Sequence, residues 1–178
     1  NLTAEIEQYR SKGIPVYTLS MGDNSFDIYW YDYLYDIGDF RRTLADMRYP
    51  TMFFNTMGNH DNDPSTQPNA DTDMNGSVRY RKVFGPTHFS MNIGDVHYVV
   101  LDNTVFRNEP GKGKYPSEIV GKRNYDRFVT SDQLDWLRRD LALVTDKTTP
   151  VVVCMHNAAF TANSRGRISK RFTKPEYV

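Results

Sequence analysis

The sequence predicts an α/β fold in which helices cover a sheet, and three observations predict it. Three short apolar runs, at 16–21, 51–57 and 151–155, are rich in β-branched and aromatic residues and too short to be helices. Runs this uniformly apolar suit strands buried on both faces. Each run also delivers its chain into a polar residue with metal-ligand or acid–base chemistry: Asp23, then Asn59, His60 and Asp61, then His156. In sheets of this class, ligands bind just beyond the carboxyl ends of the strands.

The elements follow in order. Residues 3–12 read as a helix with Leu2, Ile6 and Tyr9 on one side and Gly13 as its stop. Pro15 opens the first strand. Ile37, Phe40, Leu44 and Met47 recur at helical spacing and predict a helix over about 33–48, ended by Pro50 before the strand at 51–57. Strand–helix–strand order predicts parallel pairing through a right-handed crossover. Residues 61–77 form a polar loop, followed by a short segment at 78–84. Phe89, Met91 and Ile93 alternate with Ser90 and Asn92, and Gly94-Asp95 turns into Val96–Leu101, which predicts a hairpin. Prolines and glycines at 110, 111, 113, 116 and 121 make 103–128 read as a long excursion. Ser131 is placed to cap a helix carrying Leu134, Leu137, Leu141 and Val144 on one face. Pro150 precedes the strand at 151–155, and 161–174 is polar and basic.

Composition sets the outer bounds. At 178 residues, 39% hydrophobic and 13% aromatic, the chain is a single globular domain with one core's worth of apolar side chains. No stretch approaches the roughly 20 apolar residues of a membrane span. The lone Cys154 rules out an intrachain disulfide and reads as a small buried hydrophobe. Net charge is zero but uneven: residues 1–76 carry twelve Asp and Glu against five Lys and Arg, and residues 77–178 carry ten against seventeen. A basic half suits an anionic substrate, yet the neutral total leaves no basic footprint for nucleic acid. The sequence begins at Asn1 without a methionine and reads as a piece of a longer protein.

The densest chemistry is Met57-Gly58-Asn59-His60-Asp61. Gly58 lets the backbone bend sharply or approach a ligand. Asn59 offers a neutral carbonyl oxygen, His60 a proton near neutral pH, and Asp61 a charge able to orient it. Alone, such a tripeptide is ordinary turn chemistry. With Gly22-Asp23 upstream and His156 downstream it becomes a site.

These three blocks resemble three of the five metal-site blocks of the calcineurin-like metallophosphoesterases. The strings Gly-Asp-Asn-Ser-Phe-Asp-Ile-Tyr-Trp (22–30), Phe-Gly-Pro-Thr-His-Phe-Ser-Met-Asn-Ile-Gly (84–94) and Val-His-Tyr-Val-Val-Leu-Asp (96–102) resemble the bacterial, often cell-envelope, branch of that family. The resemblance runs from about Pro15 to His156. It implies an αββα sandwich, incomplete here at both ends, and hydrolysis of phosphoric mono- or diesters by a hydroxide activated between two divalent ions (manganese, iron, zinc or magnesium). It implies that Asp23 bridges the ions, that Asn59 and His156 bind one of them, and that His60 protonates the leaving oxygen. A carboxylate would hold the His60 tautomer, Asp27 first and Asp61 second. Relatives commonly space the two acids of the Gly-Asp block by three residues, whereas Asp23 and Asp27 are four apart.

Two blocks of the family pattern do not occur in the sequence: the opening Asp-x-His and the closing Gly-His-x-His. One ion would keep Asp23, Asn59 and His156, and the other essentially Asp23 alone. The expectation is that this chain binds one ion weakly or none, while the longer protein binds two. His88 and His97 are expected at ordinary sheet positions. The aromatic residues Tyr29–Tyr35 suit packing better than stacking on a substrate, and the basic groups Lys112, Lys114, Lys122, Arg123, Arg165 and Arg167 suit solvation better than phosphate binding. Two other readings stay open: a non-catalytic ligand- or partner-binding module on the same fold, and a nuclease. A phosphorylated small molecule or phosphodiester is the expected partner, and an envelope or periplasmic location rests on the resemblance alone.

Overall fold

The computed structural model describes residues 1–26, 35–63, 74–110, 123–162 and 167–170. Within them the chain is a mixed α/β protein with small parallel and antiparallel sheets. Among the described residues no helix is long and apolar enough to cross a membrane.

Helix α1 (Leu2–Arg10) starts where the Asn1 side chain accepts the Thr3 N–H, and it buries only Ile6. Leu2 and Tyr9, read as part of its inward face, are exposed. Strand β1 (Tyr17–Ser20) follows. Helix α2 (Ile37–Asp46) is shorter than the periodicity predicts. Asp36 accepts the N–H groups of Gly38 and Asp39 while Asp39 accepts that of Asp36, a reciprocal cap that fixes the start four residues late. Arg48, with φ of 49°, turns the chain out of the helix before Pro50 is reached. Met47 is 67% exposed rather than inward-facing, since it lies beyond the last turn.

Strand β2 (Met52–Asn55) pairs parallel with β1, as strand–helix–strand order requires. A short 3-10 turn (Met74–Ser77) leads into α3 (Val78–Phe84). Strands β3 (Phe89–Ile93) and β4 (Val96–Leu101) form the expected hairpin, with Phe89 opposite Val100 and Ile93 opposite Val96.

The excursion expected at 103–128 is instead an antiparallel pair, β5 (Thr104–Pro110) with β6 (Arg123–Arg127). Thr104-Val105-Phe106 is itself a β-prone triplet, and the turn-forming residues begin only at its far end. Helix α4 (Ser131–Ala142) is capped by the Thr130 hydroxyl, which accepts the Gln133 N–H, so the cap lies one residue before Ser131. Strand β7 (Val151–Met155) pairs parallel with β4. A small pair, β8 (Phe160–Ala162) with β9 (Ile168–Lys170), occupies part of the segment read as polar and basic.

The three apolar runs are strands, but none of them is buried on both faces throughout: Tyr17, Met52 and Val151 to Val153 are exposed. In the sheet β3–β4–β7, central β4 holds Val99 and Val100 at 0% exposure, whereas Val151, Val152 and Val153 of β7 are 40–46% exposed. The contrast is positional: among the described residues β7 is an edge strand. The core is in two parts. Ile37, Met57, Tyr80 and Phe106 form one, with Phe84 and Tyr125 against it; Val99, Leu101 and Val129 form the other, beneath Leu134, Leu137 and Leu141 of α4. Phe54 packs against Phe89 with ring centroids 6.3 Å apart, joining the two sheets.

Of the histidines read as plain sheet positions, His97 lies in β4, buried, with its ring nitrogens 2.8 Å from Asp140 Oδ2 and 2.7 Å from Asn92 Oδ1. His88 precedes β3 and sets its ring edge-on to Trp136. Asp27, Tyr29–Tyr33, Lys112, Lys114, Lys122 and Arg165 lie outside the described residues.

Candidate metal centre

Both parallel pairs end in the same place. Beyond β1, Met21 leads to Gly22 and Asp23. Beyond β2, the pairing continues for one bond as Thr56 N–H donates to the Ser20 carbonyl, and the chain then runs into Gly58 and Asn59. Beyond β7 comes His156. The predicted residues Asp23, Asn59, His60, Asp61 and His156 therefore meet in one cluster.

Two glycines make the meeting possible. A Cβ at Gly22 would lie 2.7 Å from the Gly58 nitrogen and 2.9 Å from His156 Nδ1, and one at Gly58 would lie 2.2 Å from Asp23 Oδ1. Neither loop admits a side chain there. Asp23 itself has φ of 55°, a left-handed backbone that non-glycine residues adopt only when held, at a cost of about 1–2 kcal/mol. Two bonds hold it. Its N–H donates to Asp61 Oδ2 at 2.9 Å, and its Oδ1 accepts the His60 N–H at 3.0 Å.

Asp61 acts as the clasp between the loops. Its Oδ2 accepts the N–H groups of Asp23 and Gly58, each at 2.9 Å, and its Oδ1 accepts the Ser25 N–H at 2.9 Å and hydroxyl at 3.3 Å. The side chain is fully buried. Burial pushes its pKa up, and the donated N–H bonds oppose that shift. Sequence reasoning offered Asp61 as a partner that orients His60, whereas these bonds commit its oxygens to the backbone of both loops. The His60 ring stacks on Phe26, with centroids 4.0 Å apart and planes 22° from parallel.

The His156 ring carries the strongest indication of a cation. Its Nδ1 lies 2.7 Å from the Met21 carbonyl oxygen, which can only accept, so Nδ1 bears a hydrogen. In the neutral ring the Nε2 lone pair then points at Asn59 Oδ1, 3.0 Å away, and toward Asp23 Oδ2, 3.5 Å away. Two oxygens facing a ring lone pair are satisfied by a second ring proton, by a metal ion, or by turning the Asn59 amide so that its NH2 donates to the ring. Ligand atoms bound about 2.1 Å from an ion at angles of 90–109° lie about 3.0–3.4 Å apart. The spacing matches. Imidazole with carboxylate and amide oxygen is a donor set that fits manganese, iron or zinc. Among the described residues no three His, Cys, Asp or Glu side chains gather into a metal group; the amide of Asn59 is the third donor here.

A further layer was not assigned from sequence. Asp102 and Asn103, just past β4, are buried. Asn103 donates to the Asn157 carbonyl at 2.6 Å and accepts the Asn157 N–H at 3.0 Å, so it fixes the residue that follows His156. Arg127 donates to Asn157 Oδ1 at 3.2 Å. Burial pushes the Asp102 carboxyl up to about 6, against lowering by the Thr104 N–H and the Thr87 hydroxyl. The signal was a strand, Val96–Leu101, running into Asp-Asn by the rule applied to the other three strands. The chain matches no family model, no curated protein and no solved structure.

Proposed function

We propose that the chain carries one half of the centre of a metal-dependent phosphoric ester hydrolase of the calcineurin-like metallophosphoesterase type, on that family's αββα sandwich. One observation supports the reading above others: an amide oxygen of Asn59 and a carboxylate oxygen of Asp23, from two other strand ends, lie 3.0 and 3.5 Å from His156 Nε2. Asp23, Asn59 and His156 would hold one divalent ion, and Asp23 would be shared with a second. Ions bound there would neutralise phosphate charge and acidify a water.

The chain's own residues supply the rest. The Met21 carbonyl fixes the ring hydrogen of His156 on Nδ1 and leaves Nε2 for the ion. Asp61 sets the distance between the Asp23 and Asn59 loops. His60, stacked against Phe26 and tied to Asp23 through its N–H, would donate a proton to the departing alkoxide. Whether Asp27 holds that ring, as the resemblance implies, is a question for mutation of Asp27 itself.

The test is calorimetric titration of manganese into metal-stripped protein at neutral pH without phosphate. One saturable equivalent is expected, lost in Asp23→Asn, a substitution that keeps a residue tolerant of the left-handed backbone. In a protein that also supplies the second ion's ligands, hydrolysis of p-nitrophenyl phosphate and of its bis-ester separates mono- from diesterase action, and His60→Ala there is expected to abolish turnover while sparing metal binding. Binding that ignores Asp23→Asn would overturn the metal assignment. Binding without hydrolysis, in a protein extended to supply the second ion's ligands, would establish the non-catalytic module instead.

A further inference from the structure

Between the start of β5, the first turn of α4 and the Thr87–His88 segment lies a cavity of about 400 Å³, within the usual range for small-molecule sites. Its walls include Thr87, His88, Asp102, Phe106 and Gln133, and Asp132 stands at its rim. Thr87, Phe106, Asp102 and Gln133 are between 4% and 8% exposed, while Asp132, in the first turn of α4, is open to solvent. The cavity therefore has a buried floor and an exposed mouth.

Its charge has one sign. Among the described residues no lysine or arginine lines it; the charged side chains there are Asp102 and Asp132, and burial pushes the His88 imidazole toward its neutral form. Asp102 accepts the Thr104 N–H at 3.1 Å and the Thr87 hydroxyl, two dipoles set against a buried full charge. The His156 imidazole, one register position past the Leu101–Met155 pair, acts on it through charge only when that ring is protonated, and in the neutral form with Nε2 free it brings no charge to the floor. Gln133 is committed elsewhere, since its amide spans the Asp102 N–H at 3.0 Å and carbonyl at 2.8 Å. That brace holds Asp102 in place at the floor.

A buried carboxylate with only neutral donors is expensive, and a second carboxylate at the entrance excludes anions. We propose that this cavity binds a small organic cation, an alkylammonium group seated on Asp102, with Phe106 in the wall and Asp132 at the mouth. A primary ammonium supplies the three donors and the positive charge that the floor lacks, and an aromatic wall adds cation–π attraction. The proposal is independent of the metal centre.

The experiment titrates ethanolamine into metal-free protein, following amide shifts by NMR, with ethylene glycol and acetate as neutral and anionic comparators. Saturable shifts of residues around Asp102 are expected with ethanolamine alone. Asp132→Lys, at an exposed position where folding is not at risk, is expected to weaken them at least tenfold, and Asp102→Asn to abolish them. Absence of saturation, equal response to ethylene glycol or acetate, or indifference to Asp132→Lys would each overturn the proposal.

Discussion

Gly58→Ala isolates the close approach on which the centre depends. Gly58 is not among the glycines with a left-handed backbone, so alanine meets no conformational penalty of its own there. The obstacle is space: the new Cβ would lie 2.2 Å from Asp23 Oδ1, 2.4 Å from the Asp23 nitrogen and 2.9 Å from its Cγ. Relief needs about 1 Å of separation between two backbones, because real carbon contacts of this kind rarely fall below about 3.0–3.4 Å. That opening breaks the bonds from Asp23 and Gly58 to Asp61 and strains the one from His60 to Asp23. Two or three hydrogen bonds to a charged group, at about 1.5 kcal/mol each, give a loss of about 3–5 kcal/mol. For a chain of this size that is a fall in Tm of about 10 °C. Displacing Asp23 by as much is expected to weaken manganese about 10–100-fold, as loss of a supporting shell does elsewhere. Gly13→Ala is the control. Gly13 has φ of 74° and nothing within 4 Å of a built Cβ, so its cost is conformational alone, about 1 kcal/mol. Differential scanning calorimetry and the manganese isotherm read both effects. If Gly58→Ala melts with Gly13→Ala and binds manganese like the parent, the loops do not pack as described.

Three further outcomes follow from the buried polar groups. Asp61→Asn can satisfy the donors on only one of the two carboxylate oxygens, so a loss of about 2–3 kcal/mol is expected in urea unfolding; equal or greater stability would show that the clasp contributes nothing. Asp102 is raised from about 3.9 unfolded to about 6 folded, so the folded state binds the extra proton in that window and loses relative stability as pH rises through it. The unfolding free energy of Asp102→Asn relative to the parent is therefore expected to gain about 2 kcal/mol between pH 4 and pH 7.5, and a pH-independent difference would refute the burial argument. Tyr80→Phe removes the donor to the Asn55 carbonyl at 2.9 Å from a fully buried position; a loss of about 1–2 kcal/mol, or about 2–8 °C in Tm, is the expected calorimetric result.

The strands and the site were legible in sequence for the same reason: a short apolar run that stops at a polar residue marks both a strand and its ligand-facing end. β1, β2, the β3–β4 hairpin and β7 follow from that rule, as does the convergence of Asp23, Asn59 and His156. What escaped depended on partners far away in the chain. The start of α2 was set by the reciprocal cap of Asp36 and Asp39 rather than by its apolar stripe. β5 needed β6 across a connection rich in glycine and proline. The exposure of β7 is a property of its place at a sheet edge, which periodicity does not encode. The bonds of Asp61 to Asp23 and Ser25, 38 and 36 positions away, were likewise out of reach of a reading that saw it beside His60.

The hydrogen bond from His156 Nδ1 to the Met21 carbonyl spans 135 positions, and the contact of His156 with Asn59 spans 97. Loop closures that long are slow to form. During synthesis, β1 and β2 can pair and the Asp61 clasp can shut while most of the chain is still to come. The third donor arrives only when β7 docks beside β4. If the proposed ion binds there, manganese uptake would report the docking of β7, and time-resolved metal capture after dilution from urea would clock the joining of the two sheets with no label attached to the protein.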